Sequence, residues 1–302
     1  KLAPILMYQI LFSSNRYKYI LRKLEDVIVR ATNILMEQAK KSGFSPREVE
    51  LGFGLGRDEK LPAMKLPLQN GYELKLRGRI DRIDTAKIDE ELYLRIIDYK
   101  SSKTDLNLVE VYYGLSLQML TYLDVVLSNA KNWLGEEANP AGVLYFHVHN
   151  PIISNPKSLN EEDIEQEIFK QFKMRGRLLE DQTVITKMDL TLSEGVTSDI
   201  IPAGLTKKGT FSKRSTKTLQ KEMFDQLKNY VRRLLIDAGS SIVEGYVELN
   251  PYQYKQREAC QFCSFRYVCQ FDPKLDENKY RKLKDYKEEE LMNIIMEEEG
   301  QG

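Results

Sequence analysis

Residues 78–100 read GRIDRIDTAKIDEELYLRIIDYK. The run Glu73–Asp81, which overlaps its start, alternates apolar and polar residues and predicts a half-buried strand. Thr85–Glu91 is polar and predicts a turn, and Leu92–Lys100 predicts a second strand. In such a hairpin the end of the first strand meets the start of the second, so Asp81 and Asp98 come together only if the strands are offset or bent. Asp98 and Lys100 are two apart and project from one face. Two carboxylates about 4 Å apart repel by about 4 kcal/mol at an effective dielectric of about 20. Such a pair favours a hard divalent cation between its members. The lysine can orient or help deprotonate a water, or balance charge in a transition state. The alternative is a surface hairpin carrying solvated charges.

The 302 residues suffice for one large domain or two small ones. With 42% apolar and 30% charged residues, the chain has the composition of a globular protein with a sizeable core and not of a disordered one. Lysine plus arginine balance aspartate plus glutamate at 45 each, so any nucleic-acid site has to be a local basic patch. No apolar run of about 18 residues occurs, so no spanning helix is expected, and the opening residues do not read as a signal peptide. The chain opens at Lys1, inside a pattern that already reads as helix, which suggests a piece of a longer protein.

Apolar residues recur at spacings of three and four from residue 4 to about 42, predicting a helix with Ser13-Ser14-Asn15 as a break or cap and Gly43 as its stop. Val49–Gly54 predicts a short strand. The glycines at 52, 54 and 56 lack the spacing of a dinucleotide fingerprint. Pro62–Asn70 predicts a loop, with Asn70-Gly71 as a turn signal. Leu108–Leu127 predicts a helix on which Gln118 and Tyr122, four apart, share a side; an ordinary helix surface has the same pattern. Ala141–Val148 predicts a buried strand with His147 and His149 at its end, as metal ligands or as satisfied polar groups. Residues 151–215 form a charged, irregular insertion with a helix over Glu161–Met174. Its last loop mixes Lys207, Lys208, Lys213 and Arg214 with Phe211, serine and threonine, and is either a phosphate-contacting loop or a solvated one. A helix over Thr218–Ala238 and a strand over Ser241–Leu249 follow.

All three cysteines, Cys260, Cys263 and Cys269, lie in a C-x2-C-x5-C array. That clustering points to a metal centre, zinc or iron–sulfur. Both want a fourth ligand, which His147, His149 or a cysteine from an upstream segment can supply. Phe262, Phe265, Tyr267 and Phe271 are placed to shield such a centre. Three reduced structural thiols are the alternative.

Taken together, Gly78-Arg79-Ile80-Asp81, Asp98-Tyr99-Lys100 and Gln118 with Tyr122 resemble the GxxD, DYK and QxxxY motifs of the RecB-like branch of the PD-(D/E)xK nuclease superfamily. The cysteine triplet that follows looks like that of its iron–sulfur subset. The Pro151–Ser215 insertion and the sequence LRGRIDRID are most similar to nuclease domains at the C-terminus of helicase–nuclease subunits in Gram-positive bacteria. The resemblance implies an α/β restriction-endonuclease-like core in the order α-β-β-β-α-β: a mixed central sheet flanked by helices. It implies one nuclease domain with a core over 1–150, an insertion and extension over 151–250, and a cysteine-containing segment over 251–302.

The same resemblance implies residue roles. Asp81, Asp98 and the Tyr99 carbonyl would bind Mg²⁺, and Lys100 would position or activate the attacking water. Gln118 and Tyr122 would position the substrate or the lysine. Cys260, Cys263 and Cys269 would hold a [4Fe-4S] cluster as a structural staple, and Glu50 is a candidate auxiliary acid. The family's first cluster cysteine and a metal-binding histidine do not occur between Lys1 and Gly78 and are expected upstream. The implied function is cytoplasmic, Mg²⁺-dependent exonucleolytic processing of DNA ends, on one threaded single strand, with an AddA-like helicase–nuclease subunit as partner. A stand-alone CRISPR-linked exonuclease and a non-catalytic DNA-binding scaffold are the alternatives. No Walker motif is present, so ATP hydrolysis lies elsewhere.

Overall fold

A computed structural model of the chain describes residues 12–56, 60–69, 71–153, 160–275 and 278–300. The start of the expected first helix, with Ile10 and Leu11, and Asn70 of the expected turn lie outside them. The described chain forms two compact units. The first comprises Lys1–Pro62, Arg77–Leu106 and Tyr122–Phe224; the second comprises Ala63–Leu76, Asn107–Thr121 and Asp225–Gly302.

The first unit holds a six-stranded mixed sheet. Helix α1 (Asn15–Lys40) begins where the Ser14 hydroxyl accepts a hydrogen bond from the Tyr17 amide at 3.3 Å, so the Ser13-Ser14-Asn15 signal is a cap. Strand β1 (Ser45–Phe53) follows. The stretch expected to be one strand from Glu73 to Asp81 is two. Met64–Pro67 (β2), expected as loop, pairs with Glu73–Leu76 (β3) in a separate ribbon of the second unit. Gly78–Ile88 (β4) starts afresh in the main sheet.

Strand β4 then runs through Thr85–Ile88, where a turn was expected. Its hairpin with β5 (Glu91–Lys100) closes on two residues, Asp89 and Glu90, at φ of 49° and 65°. Two left-handed residues are what a tight primed turn requires, but neither is a glycine or asparagine, so the turn carries no strong local signal.

Residues 108–127, expected as one helix, are broken at Gly114, whose φ is 74°, into α2 (Leu108–Tyr112) and α3 (Gln118–Leu134). Strand β6 (Ala138–His147) returns parallel to β5, and α4 (Glu161–Gln171) follows. The insertion is less irregular than its charge suggests. Arg175–Leu179 is strand β7 of the main sheet, and Gln182–Met188 is helix α5. At Gly176 an added Cβ would lie 2.0 Å from the Val143 carbonyl oxygen, so only glycine lets β7 approach β6 there. Strand β8 (Thr218–Leu219) ends the sheet, whose order is β1-β4-β5-β6-β7-β8.

The central strands carry the core. Leu94, Ile96, Ile97, Val143, Leu144 and Phe146 are buried, and on both β5 and β6 residues of both faces are covered. This is the mixed sheet flanked by helices, in the order α-β-β-β-α-β, that the motifs imply.

Helix α6 (Lys221–Val243) runs from the first unit into the second. The strand expected over Ser241–Leu249 does not form: its first turn belongs to α6, the next residues bond back to the helix end, and none joins a strand ladder. Ile242 and Val247 are exposed there, and β-branched residues without a ladder partner gain little from extension. The second unit also holds β9 (Tyr252–Tyr254), β10 (Arg257–Glu258) and β11 (Arg281–Lys282) in one small sheet, with helices α7 (Arg266–Cys269) and α8 (Glu288–Gly300). Tyr112 stacks on Tyr230 with ring centroids 5.7 Å apart, and the Tyr230 hydroxyl donates to the Tyr112 carbonyl.

Candidate active site

The hairpin register decides what Asp81 meets. Pairs run from Ile88↔Glu91 to Arg82↔Ile97, so the next step along the ladder sets Asp81 opposite Asp98 without the offset or bend that a longer turn would demand. At this end the Asp81 carboxylate accepts the Tyr99 amide proton at 2.9 Å.

Asp98 is buried, its side chain only 4% exposed, with Lys100 Nζ 2.7 Å from Oδ2. Burial pushes the Asp98 carboxyl above its ordinary pKa, Lys100 pulls it back, and the charge of Asp81 pushes it up again. The half-buried ammonium is held by Asp98, and with Asp81 opposite Asp98 the three groups are one positive charge short. Asp81 and Asp98 fit a divalent cation on that ground: their excess charge is desolvated and a hard ion would relieve it. The three-donor sets that define a ready-made metal site do not occur among the described residues.

Gly78 is needed for packing. An added Cβ would lie 2.9 Å from the Phe53 ring and 3.5 Å from the Tyr122 ring, and those two rings meet edge to face at 5.8 Å. Tyr122 of α3 is thus tied to the strand that carries Asp81. Gln118 lies one turn earlier on α3, within the second unit. Glu50 falls opposite Asp81 on β1, between the pairs Val49↔Arg82 and Leu51↔Ile80. Its φ is 52°, and its exposed carboxylate lies 3.6 Å from Arg79 Nη1.

On the opposite face of the same two strands is a charge cluster that the motif reading passed over. Asp84, fully buried, accepts hydrogen bonds from both Arg82 (2.6 and 2.9 Å) and Arg95 (2.8 and 3.0 Å). Arg95 also lies under the Phe44 ring at 5.1 Å. The signal was present in the sequence: Arg82 and Asp84 are two apart on a strand, and Arg95 interrupts an apolar run.

The other expected sites are assembled less fully. His147 and His149 stack at 4.0 Å, His149 Nδ1 donating to the His147 carbonyl and His147 Nε2 to the Ser101 carbonyl. Cys260 lies in a 3-10 turn (Ala259–Phe262), and Cys269 ends α7. Cys263 and Cys269 are exposed. Of the four aromatics expected to shield a centre, Phe262, Phe265 and Tyr267 are exposed, and Phe271 is half-buried against Tyr280 at 4.9 Å. The donor chemistry suits iron or zinc, but the described arrangement does not gather three ligands. Lys207, Lys208, Lys213 and Arg214 are exposed on the loop expected to meet phosphate. No described helix is long and apolar enough to cross a membrane.

Comparison with known proteins agrees with this fold. A protein from Oceanobacillus iheyensis, named as an ATP-dependent helicase/deoxyribonuclease subunit, is 54% identical over 301 residues, covering 100% of this chain and 26% of the relative. Proteins of the same name from Bacillus mycoides and Bacillus cereus are each 50% identical over 302 residues, covering 99% of the chain and 26% of each relative. The chain thus spans about a quarter of the length of the curated relatives it matches. A family profile for the PD-(D/E)XK nuclease superfamily matches residues 5–270, which take in Asp81, Asp98 and Lys100, and the chain belongs to that superfamily.

Proposed function

We propose that this segment is the DNA-cutting part of an AddB-type helicase–nuclease subunit, hydrolysing phosphodiester bonds of a threaded single strand during end resection. The observation that carries the reading is the uncompensated charge at Asp81, Asp98 and Lys100. Asp81, Asp98 and the Tyr99 carbonyl would hold Mg²⁺. When bound, such an ion polarises the scissile phosphate and acidifies a ligated water. Asp81 is oriented for this by the Tyr99 amide. Lys100 balances charge as the phosphorus becomes five-coordinate, its ammonium held in place by Asp98. Gln118 and Tyr122 position substrate or the lysine, and Lys207, Lys208, Lys213 and Arg214 contact phosphates of the incoming strand.

Motor activity would come from outside this chain, with an AddA-like subunit as partner. Cys260, Cys263 and Cys269 would ligate a [4Fe-4S] cluster with one further ligand, stapling the C-terminal segment. Iron in the purified complete protein should be lost in Cys260→Ser; protein that never holds iron removes this part of the reading.

The decisive experiment is cutting of labelled single-stranded DNA by the complete protein with its partner, in Mg²⁺ and then in EDTA. Asp98→Ala should reduce cutting by at least about a thousandfold, the scale of losing one main electrostatic element of a site. Cutting that survives the substitution would leave the carboxylates as structure and the fold as a DNA-holding scaffold.

A further inference from the structure

The parallel pairing of β5 and β6 sets His147 beside Lys100. The Val148 amide donates to the Lys100 carbonyl at 2.8 Å, and His147 Nε2 reaches the Ser101 carbonyl at 3.3 Å. Just past this point both strands leave the sheet, and a cavity of about 630 Å³ opens between their continuations. Its walls bring together Lys103 from the loop after β5, His147 and His149 from the end of β6, Lys173 from the link between α4 and β7, Arg175 from the start of β7, and Arg214 from the loop before β8.

The charge of these walls is one-sided. A single carboxylate lines the cavity, that of Asp105, and it is taken up by Lys217. Lys170 is likewise paired, with Glu167 at 2.7 Å. Lys103, Lys173, Arg175 and Arg214 have no carboxylate within ion-pair distance among the described residues. Lys173 feels the charges of Asp199 and Asp189, yet burial still holds its pKa below the ordinary lysine value. In a chain whose net charge is zero, this is a local concentration of cations, in a concave wall where low-dielectric surroundings strengthen their field. Two of the lining rings, His147 and His149, stack at 4.0 Å, and His149 also meets the buried Phe172 ring, tilted, at 4.7 Å.

We propose that this cavity is a phosphodiester subsite, holding the sugar–phosphate backbone of single-stranded nucleic acid beside the bond to be cut. The proposal rests on the nuclease reading of Asp81, Asp98 and Lys100, and it adds to Arg214 of the basic loop three cations, Lys103, Lys173 and Arg175, that neither the motifs nor that loop indicated. Nucleic acid is favoured over an acidic protein surface because the cations line a hollow and adjoin the backbone of Lys100.

The test uses Lys103→Glu with Arg175→Glu, an exposed and a half-buried side chain, both outside the basic loop of Lys207 to Arg214. Binding of a labelled oligothymidylate to the complete protein is measured in EDTA across a salt series. Each phosphate contact to a single strand contributes about 0.7 to the slope of log K against log salt. The double variant is therefore expected to show a slope about 1.4 shallower and roughly tenfold weaker binding at moderate salt. Reversal of Arg16 and Lys18 on α1, an equal change in net charge, should leave the slope as it was.

An unchanged slope in the cavity variant, or an equal fall in both variants, overturns the subsite. Cutting with Mg²⁺ on the same samples separates the two readings. Wild-type cutting with no slope change removes the subsite and keeps the nuclease. A shallower slope with no wild-type cutting keeps the subsite and removes the nuclease.

Discussion

The tripeptide Arg-Ile-Asp occurs twice in succession, at 79–81 and 82–84, and the two copies meet opposite fates. In the second, Asp84 is buried between Arg82 and Arg95, and every charge has a close partner of opposite sign. In the first, Asp81 faces Asp98 across the hairpin with only Lys100 between them and neutrality. An offset of three places the two aspartates on opposite faces of β4. The second cluster has two cations for one anion and is closed, whereas the first has two anions for one cation and is open to a ligand. Identical local sequence thus becomes structure or chemistry according to which cross-strand residues it meets.

The comparison breaks first if the second cluster proves dispensable. Asp84→Ala strands two guanidinium groups without their anion, Arg95 wholly buried, and should cost about 3–5 kcal/mol of stability. Thermal or denaturant unfolding measures it, and a loss under about 1 kcal/mol would show that the cluster is not closed by its charges.

A smaller effect of opposite sign sharpens the contrast. Asp98→Asn removes one of two repelling carboxylates, and in EDTA should stabilise the fold by about 1 kcal/mol while abolishing cutting. The sign follows from linkage. The folded state binds the Asp98 proton more tightly than the unfolded state does. Stability from this group is therefore present below the ordinary carboxylate pKa and is lost as pH rises through the raised one. Melting temperatures of the metal-free wild type should fall across that window relative to Asp98→Asn. Parallel curves would contradict the buried-carboxylate account.

Much of this was legible in the chain. The spacing of Asp98 and Lys100 puts them on one face of any strand, and the alternation around Ile80 marks β4. The meeting of Asp81 and Asp98 was not, because it depends on a turn made by two acidic residues in left-handed conformation. Thr85–Ile88 looks polar, yet only Lys87 there is exposed. Strand β7 was hidden by its arginines: Arg177 is buried, and a charged residue inside a sheet breaks the apolar pattern by which strands are found. The cavity beside Lys100 was least visible, since its cations come from four separate stretches of chain that the pairing of β5 with β6, β6 with β7 and β7 with β8 brings together.

The turn at Asp89-Glu90 works as a phase setter. Side chains on a strand have a period of two, so slipping β5 by a single residue would carry Asp98 from the Asp81 face to the Arg82 face. It would then join Asp84 beside Arg82 and Arg95 and leave Asp81 without its partner carboxylate. Eight residues of strand, about 27 Å at 3.4 Å each, separate this turn from the carboxylates whose encounter it sets. A one-residue insertion at the distant tip of the hairpin would therefore dismantle the site without touching any residue in it.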